Sequence, residues 1–433
     1  MKLNYSHKKT EQEIFENIPD VELFPQNNSS SKNILINSDN LIALKHIITT
    51  HKLKSKIDLV YIDPPFATNN TFTITDGRAN TISNSSNGTI AYKDNLKGAD
   101  FIEFLRERLV LLKMLLSDKG SIYLHIDYKI GHYVKVMMDE IFGRENFRND
   151  ITRIKCNPKN FERKGYGNIK DLILFYSKSD NYIWNEPKII YTEEDKIKLF
   201  SKQDMSGRHY TTIPLHAPGE TKNGKTSHAF KGILPPKGRH WRSNVDELEK
   251  LDNEGLIEWS SSGNPRKKIY FNEQEGKRMQ DIWEYKDPQY PVYPTEKNSD
   301  LLDIIIKTSS HENSIILDCF AGSGTTLKAA QKNGRQWIGI DQSEEAIKAI
   351  RTKLNSIEGD LFVSHIDYIF MTEKKPTVAN ISNIDSYKTL KQNTEYYKIT
   401  SAPVLLKEKK HLYNRKKRVA SRNTKNVLLK KKP

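Results

Sequence analysis

At 433 residues the chain has room for one large domain plus an inserted or appended one, and a hydrophobic content of 36% implies surface-rich stretches beside the core. The net charge of +15 suggests a polyanionic partner, nucleic acid first. However, twelve basic residues against one acid, Glu408, between Lys407 and Lys432 supply +11 of it. Cys156 and Cys319 exclude a disulfide framework or a zinc-ribbon site and suit a reducing compartment. No apolar run nears the roughly eighteen residues that cross a membrane. Residues Met1–His7 lack the apolar core of a signal peptide, so a cytoplasmic protein is expected.

Residues 1–30 are polar and are expected to form a loosely packed leader. The run Asn33-Ile34-Leu35-Ile36-Asn37 predicts a strand, and Leu41, Leu44 and Ile47 predict a helix capped by Ser38 or Asp39. Asp39 is a cap by local pattern, and it also stands where a ligand amine could donate to it. Ile57-Asp58-Leu59-Val60-Tyr61-Ile62 predicts a short buried strand that Asp63-Pro64-Pro65-Phe66 stops at once. That turn presents a carboxylate, a carbonyl and an aromatic ring at the carboxyl end of a strand, where open α/β sheets bind ligands.

About thirty Thr-, Asn-, Ser- and Gly-rich residues follow, from Ala67 to Lys93, and suggest a mobile flap over that end. A helix carries Phe101, Leu105, Leu109, Leu112, Leu115 and Leu116, and Asp118-Lys119-Gly120 is expected to end it. The run Ser121–Asp127 is a strand in which His125 suits a packed core histidine better than a general base. A helix near Val134–Ile141 and strands near Ile151–Cys156 and Leu172–Tyr176 complete a first block, residues 31–180. Its alternation of strand and helix predicts a parallel sheet.

From 181 to 290 helical periodicity fades, and basic residues interleave with aromatics. Examples are Lys237-Gly238-Arg239-His240-Trp241-Arg242 and Pro265-Arg266-Lys267-Lys268-Ile269-Tyr270. Charges for phosphates beside faces for stacking suit a nucleic-acid surface, although Trp241, Trp259 and Trp283 equally suit a small core. Alternation resumes over 291–370. The strand Ser314–Asp318 meets Cys319-Phe320-Ala321-Gly322-Ser323-Gly324-Thr325-Thr326 and then a helix, which lets a ligand approach the backbone. Nineteen residues beyond Gly322, a second strand ends on Asp341, an offset that suits ribose hydroxyls. The third glycine of a pyrophosphate fingerprint is missing, and so is a phosphate-gripping Lys-Ser/Thr pair. Adenosine without a diphosphate fits best. Residues 371–433 form a polar and basic tail.

Phe320-Ala321-Gly322-Ser323-Gly324-Thr325 with Asp63-Pro64-Pro65-Phe66 resembles the S-adenosylmethionine-dependent DNA amino-methyltransferases. The glycine motif follows the Asp-Pro-Pro motif, as in the permuted β-group. Tyr92-Lys93-Asp94-Asn95, Met138–Gly143 and Tyr293-Pro294-Thr295-Glu296-Lys297 extend the match. Gly238 to Trp283 is similar to type III restriction-modification modification subunits. Phe66 stands where the family more often has Tyr, which keeps the stacking face.

The resemblance implies a Rossmann-like α/β fold with a mixed, mostly parallel sheet. Residues 31–180 would be its catalytic half, 181–290 an inserted target-recognition domain and 291–370 the cofactor half. It implies methyl transfer to adenine N6 in flipped-out double-stranded DNA, with cytosine N4 or a catalytically silent DNA-binding subunit as the alternatives. In the family an Asp at the first motif position favours adenine, and Ser is commoner in cytosine N4 enzymes. Asp63, Pro64, Pro65 and Phe66 are the implied catalytic residues. Asp39, Asp318, Phe320, Gly322, Gly324, Thr325, Asp341, Thr295 and Lys297 are the implied cofactor residues, the last two near its methionine end. A homodimer, a restriction subunit as possible partner and no metal complete the expectations.

Overall fold

Ten strands build the central sheet of the computed structural model. In chain order they are β1 Leu23–Pro25, β2 Ile34–Asn37, β3 Ile57–Ile62, β4 Leu116–Ile126 and β5 Phe147–Ile154. There follow β6 Lys170–Ser177, β7 Ile282–Trp283, β8 Ile315–Asp318, β9 Gln336–Asp341 and β10 Ile369–Glu373. Their spatial order is β1-β10-β2-β9-β8-β3-β4-β6-β5-β7. From β10 to β4 all neighbours run parallel. β6 is antiparallel to both of its neighbours, β1 closes one edge antiparallel, and β7 lies parallel to β5. The sheet is therefore mixed, mostly parallel and Rossmann-like, and β6 departs from the all-parallel first block that alternation implied. The structure describes residues 2–65, 98–158, 162, 164–289, 291, 293–294, 296–357 and 366–373, with the backbone alone of 71–75, 78–80 and 89–93.

Helices cover both faces, which is why the strands are continuous apolar runs. Val60 and Ile62 of β3 join a core with Leu44 of α2 (Asn40–Thr49), Leu105 and Leu109 of α3 (Gly98–Leu115) and Met138 of α4 (Tyr128–Phe142). Leu59 and Tyr61, one residue out of phase, point to the other face. There they meet Leu301 and Ile305 of α5 (Ser299–Ser309), Leu327 of α6 (Thr325–Lys332) and Ile350 of α7 (Glu344–Asn355). β8 pairs directly with β3, so the two motif-bearing strands lie side by side despite their separation in sequence.

The first thirty residues are not a loose leader. Ile14 of α1 (Glu11–Asn17) and Leu23 are buried in the first core, β1 pairs with β10, and Lys8 forms a 2.6 Å ion pair with Glu140 of α4. A few well-spaced apolar side chains suffice to dock a segment whose average composition is polar. The tail begins later than expected, because Met371–Glu373 still belongs to β10; residues 374–433 lie outside the described residues. β4 starts at Leu116, directly after α3, and passes through Gly120, where a Cβ would sit 2.8 Å from the Ile57 carbonyl oxygen.

The segment after β6 forms a separate four-stranded antiparallel sheet from Lys202–Gln203, His209–Pro214, Ile257–Trp259 and Pro265–Tyr270. Trp241, Phe230, Leu215 and Leu248 give it a small core of its own. Trp259 is partly exposed and stacks on Phe230, whereas Trp283 belongs to β7 and the main sheet. Within the expected flap, the described backbone of Thr71–Thr75, Arg78–Asn80 and Thr89–Lys93 makes a three-stranded antiparallel sheet. Among the described residues no helix is long and apolar enough to cross a membrane.

Candidate active site at the carboxyl edge

The parallel run β2-β9-β8-β3 brings Asp39, Asp341, the glycine loop and Asp63 to one edge, because each follows or ends one of these strands. Asp39 caps α2, accepting from the Leu41 N–H at 2.8 Å, and lies 3.6 Å from the buried Arg108 guanidinium. Arg108 stacks on Phe104, whose ring neighbours Phe320, and it also binds Asn40, which donates to the Cys319 carbonyl. The cap that local sequence predicts is thus also joined to the start of the glycine loop.

Asp318 is buried at the end of β8. Phe320 N–H donates to its Oδ1 at 3.0 Å and the Thr326 hydroxyl to its Oδ2 at 2.6 Å. Burial nevertheless pushes its carboxyl up to about 7, against the pull of those two bonds. Asp341 accepts from Gly322 N–H at 2.9 Å through Oδ2 and from Ser343 N–H at 2.9 Å through Oδ1. Burial raises this carboxyl too, and the backbone donors oppose the rise. Each of its oxygens retains a second acceptor position, and the residue is partly exposed.

At Gly322 (φ +49°) a Cβ would make only ordinary contacts, the nearest with the Tyr293 ring at 3.6 Å. Gly324 (φ +77°) has no such room, since a Cβ there would lie 2.9 Å from Ile350 Cγ1. The Thr325 hydroxyl is committed to Lys353 at 2.9 Å and to Ser323 at 3.0 Å. Lys353 also pairs with Glu296 at 2.5 Å, so it ties the segment before α5 to the glycine loop. The positive-φ turn at Gly322 and the open acceptor positions of Asp341 fit a nucleoside cofactor.

Asp63 follows β3, and its two oxygens have different surroundings. Oδ2 lies 2.5 Å from Lys297 Nζ, which places Lys297 against the Asp63 carboxylate. Oδ1 is buried and accepts no hydrogen bond among the described residues. His125 Nδ1 lies 3.9 Å from it. Pro64 is buried beside it, and Pro65 is partly exposed. Phe66 and Thr295 lie outside the described residues.

Sequence reasoning read His125 as a packed core histidine and did not find Asp171, Lys155 or Arg153, which stand behind Asp63 with it. His125 of β4 is fully buried, on the same face as Tyr123 and Tyr61, and its Nδ1 is 3.0 Å from the Tyr61 hydroxyl. Its Nε2 is 3.3 Å from Oδ2 of Asp171, the second residue of β6. Lys155 holds the other Asp171 oxygen at 2.6 Å, and Arg153 stands 3.7 Å away. Burial alone would raise the Asp171 carboxyl, but the His125 hydrogen bond and neighbouring charges bring it well below the usual range. Burial keeps His125 below the usual histidine range, against the pull of Asp171 and Asp63. An antiparallel β6 beside β4 is what brings Asp171 to this edge, and local pattern does not reveal that pairing.

A carboxylate whose one buried oxygen accepts no hydrogen bond among the described residues thus stands one strand away from the glycine loop. Residues 57–352 match the family model described as DNA methylase, of the N6/N4 methyltransferase type. The chain belongs to this DNA methylase family, whose cofactor is S-adenosyl-L-methionine. It is 40% identical over 324 residues to the type II methyltransferase M.EcaI of Enterobacter cloacae, covering 73% of this chain and 68% of that protein. With the type III restriction-modification enzyme StyLTI Mod subunit of Salmonella typhimurium it shares 26% identity, over 72% of this chain and 52% of that subunit. The chain thus spans about half the length of that Mod subunit. The crystal structure of the M1.HpyAVI–SAM complex superimposes with a TM-score of 0.38 at 18% identity, over 74% of this chain and all of that one.

Proposed function

We propose that the chain transfers a methyl group from S-adenosyl-L-methionine to the N6 amine of adenine in duplex DNA, as the modification component of a restriction-modification system. The observation that carries this reading is Asp63 Oδ1, a buried acceptor at the end of β3 that has no donor among the described residues. An unsatisfied buried carboxylate oxygen costs free energy until a donor reaches it, and an exocyclic amine supplies that donor. The target atom is inaccessible in a stacked duplex, so the base must leave the helix to reach this edge.

When bound, the cofactor supplies an electrophilic methyl group on a sulfonium. Asp39, Asp318, Phe320, Gly322 and Asp341 would hold it along the β2-β9-β8 edge. Asp63 accepts from the amine and, with the Pro64 carbonyl, orients the nitrogen lone pair; Phe66 is assigned the stacking face. The amine is conjugated and weakly nucleophilic, so orientation and a fixed acceptor are what the protein must contribute. An aspartate rather than a serine before Pro64-Pro65 supports adenine.

Mass spectrometry of nucleosides from duplex DNA treated with the protein and the cofactor tests this. N6-methyladenine is the expected product. N4-methylcytosine would overturn the base assignment, and no methylated nucleoside would overturn the activity.

A further inference from the structure

Behind Asp63 the chain His125–Asp171 serves no purpose in orienting an amine, yet it is buried, charged at one end and costly to build. The Asp171 carboxylate is held by Lys155 at 2.6 Å and can only accept, so His125 Nε2, 3.3 Å away, carries the proton. This fixes the tautomer. Nδ1 then presents its lone pair toward β3, where the Tyr61 hydroxyl donates at 3.0 Å and Asp63 Oδ1 lies 3.9 Å away. Asp63 Oδ1 is therefore positioned between the place of the substrate amine and a neutral, oriented imidazole.

We propose that His125 is a positioning residue that receives, through Asp63, the proton released by the methylated amine. The inference rests on the methyl-transfer reading above. It holds for either an adenine or a cytosine amine. When the nitrogen bonds to the methyl carbon, the carbon–sulfur bond breaks and its electron pair stays on sulfur. The nitrogen now carries a positive charge and one proton too many. That proton passes to Asp63 Oδ1 and then to Nδ1, and the Tyr61 hydroxyl turns from donor to acceptor. The resulting imidazolium lies between two carboxylates, Asp63 and Asp171. The distance of 3.9 Å is beyond a hydrogen bond, and such contacts tighten when substrate fills the site.

Among the described residues, the charged and titratable groups facing His125 include Tyr61 and Asp63 from β3, Asp171 from β6 and Lys297 from the segment before α5. Lys155 and Arg153 of the β5 end act through Asp171. The two carboxylates favour the imidazolium, and Lys297 and burial disfavour it. The ring therefore rests neutral and ready to accept at neutral pH.

The test is single-turnover methyl transfer from labelled cofactor, followed against pH for the wild type and His125→Gln. The wild-type rate should fall on acidification, as His125 takes up a proton from solvent and can no longer accept one. His125→Gln keeps hydrogen-bonding atoms but does not titrate. It should lose that acid limb and about 10²-fold in rate, with cofactor and DNA affinities within about twofold. If His125→Gln does not fold, Asp171→Asn leaves the ring in place and frees its tautomer: the rate should fall by a similar factor and the acid limb should move to lower pH, because a carboxylate that favours the imidazolium is gone. His125→Gln with the wild-type rate or with an intact acid limb, or Asp171→Asn with an unmoved limb, overturns the relay and leaves methyl transfer standing. No transfer by the wild type overturns both.

Discussion

Lys297 Nζ grips Oδ2 of Asp63 at 2.5 Å, while Oδ1 of the same carboxylate accepts nothing among the described residues. The ammonium balances the charge of a largely buried carboxylate and fixes which oxygen is left for the substrate. Removing one partner of such a pair leaves the other exposed to the full cost of burial.

Asp63→Ala should abolish methyl transfer and leave cofactor binding within a few-fold of the wild type. Lys297→Met should lower kcat by about 10²-fold, comparable to removing one preorganised charged group, with cofactor affinity little changed. Calorimetry and single-turnover rates separate the two effects. A large loss of cofactor affinity in Lys297→Met, with kcat intact, would return Lys297 to the cofactor's methionine end.

The two loop glycines should fail differently. Gly324→Ala places a Cβ 2.9 Å from Ile350 Cγ1 at φ +77°, so it should cost about 1–3 kcal/mol of stability in thermal unfolding. At Gly322→Asp the Cβ would meet nothing closer than 3.6 Å among the described residues, but the substitution sets a second carboxylate beside Asp341. The folded protein should then lose cofactor binding by calorimetry; undiminished affinity would remove Gly322 from the cofactor site.

Asp318 gives a pH signature. Its folded carboxyl is pushed up to about 7 from an ordinary 3.8, so the stability it contributes is complete below the ordinary value and is lost as pH rises through about 7. Asp318→Asn should remove this decline, and its melting temperature should gain on the wild type from about pH 4 to pH 7 and no further. The cofactor's positive charges favour the ionised form, so wild-type affinity should rise through the same window and that of Asp318→Asn should stay flat. A constant difference in melting temperature across pH would refute the assignment.

Arg239, Arg242 and Arg266 converge near His216 in the inserted segment, Arg239 at 3.2 Å from its Nδ1, and none of the three has an ion pair among the described residues. Burial and then these three charges lower the His216 titration, so the patch favours an anion over a further proton. Replacing Arg239 and Arg242 by Ala should weaken DNA binding equally for all sequences. The slope of log affinity against log salt should flatten by about 0.9 for each phosphate that is no longer neutralised. Anisotropy titrations at several salt concentrations read this, and an unchanged slope would place the DNA elsewhere.

Features that depend on local backbone chemistry were legible in the residues. Pro64-Pro65 must end a strand, Gly322 and Gly324 must turn one into a helix, and an apolar run flanked by helices must be buried on both faces. Asp63, Asp318 and Asp341 therefore stood out, and their parallel strands put them on one edge. Polar averages misled over residues 1–30, where Ile14 and Leu23 dock the segment despite its composition.

Which oxygen of Asp63 stays open, and what stands behind it, depended on tertiary structure alone. Lys297 arrives from the segment before α5, His125 from β4 and Asp171 from an antiparallel β6, and no local pattern encodes those neighbours. A histidine in an apolar strand is commonplace until one adjoining strand delivers a carboxylate to one nitrogen and the other brings Asp63 to within 3.9 Å of the second. The strand pattern determined that His125 is buried; the order of strands in the sheet decided what it is buried against.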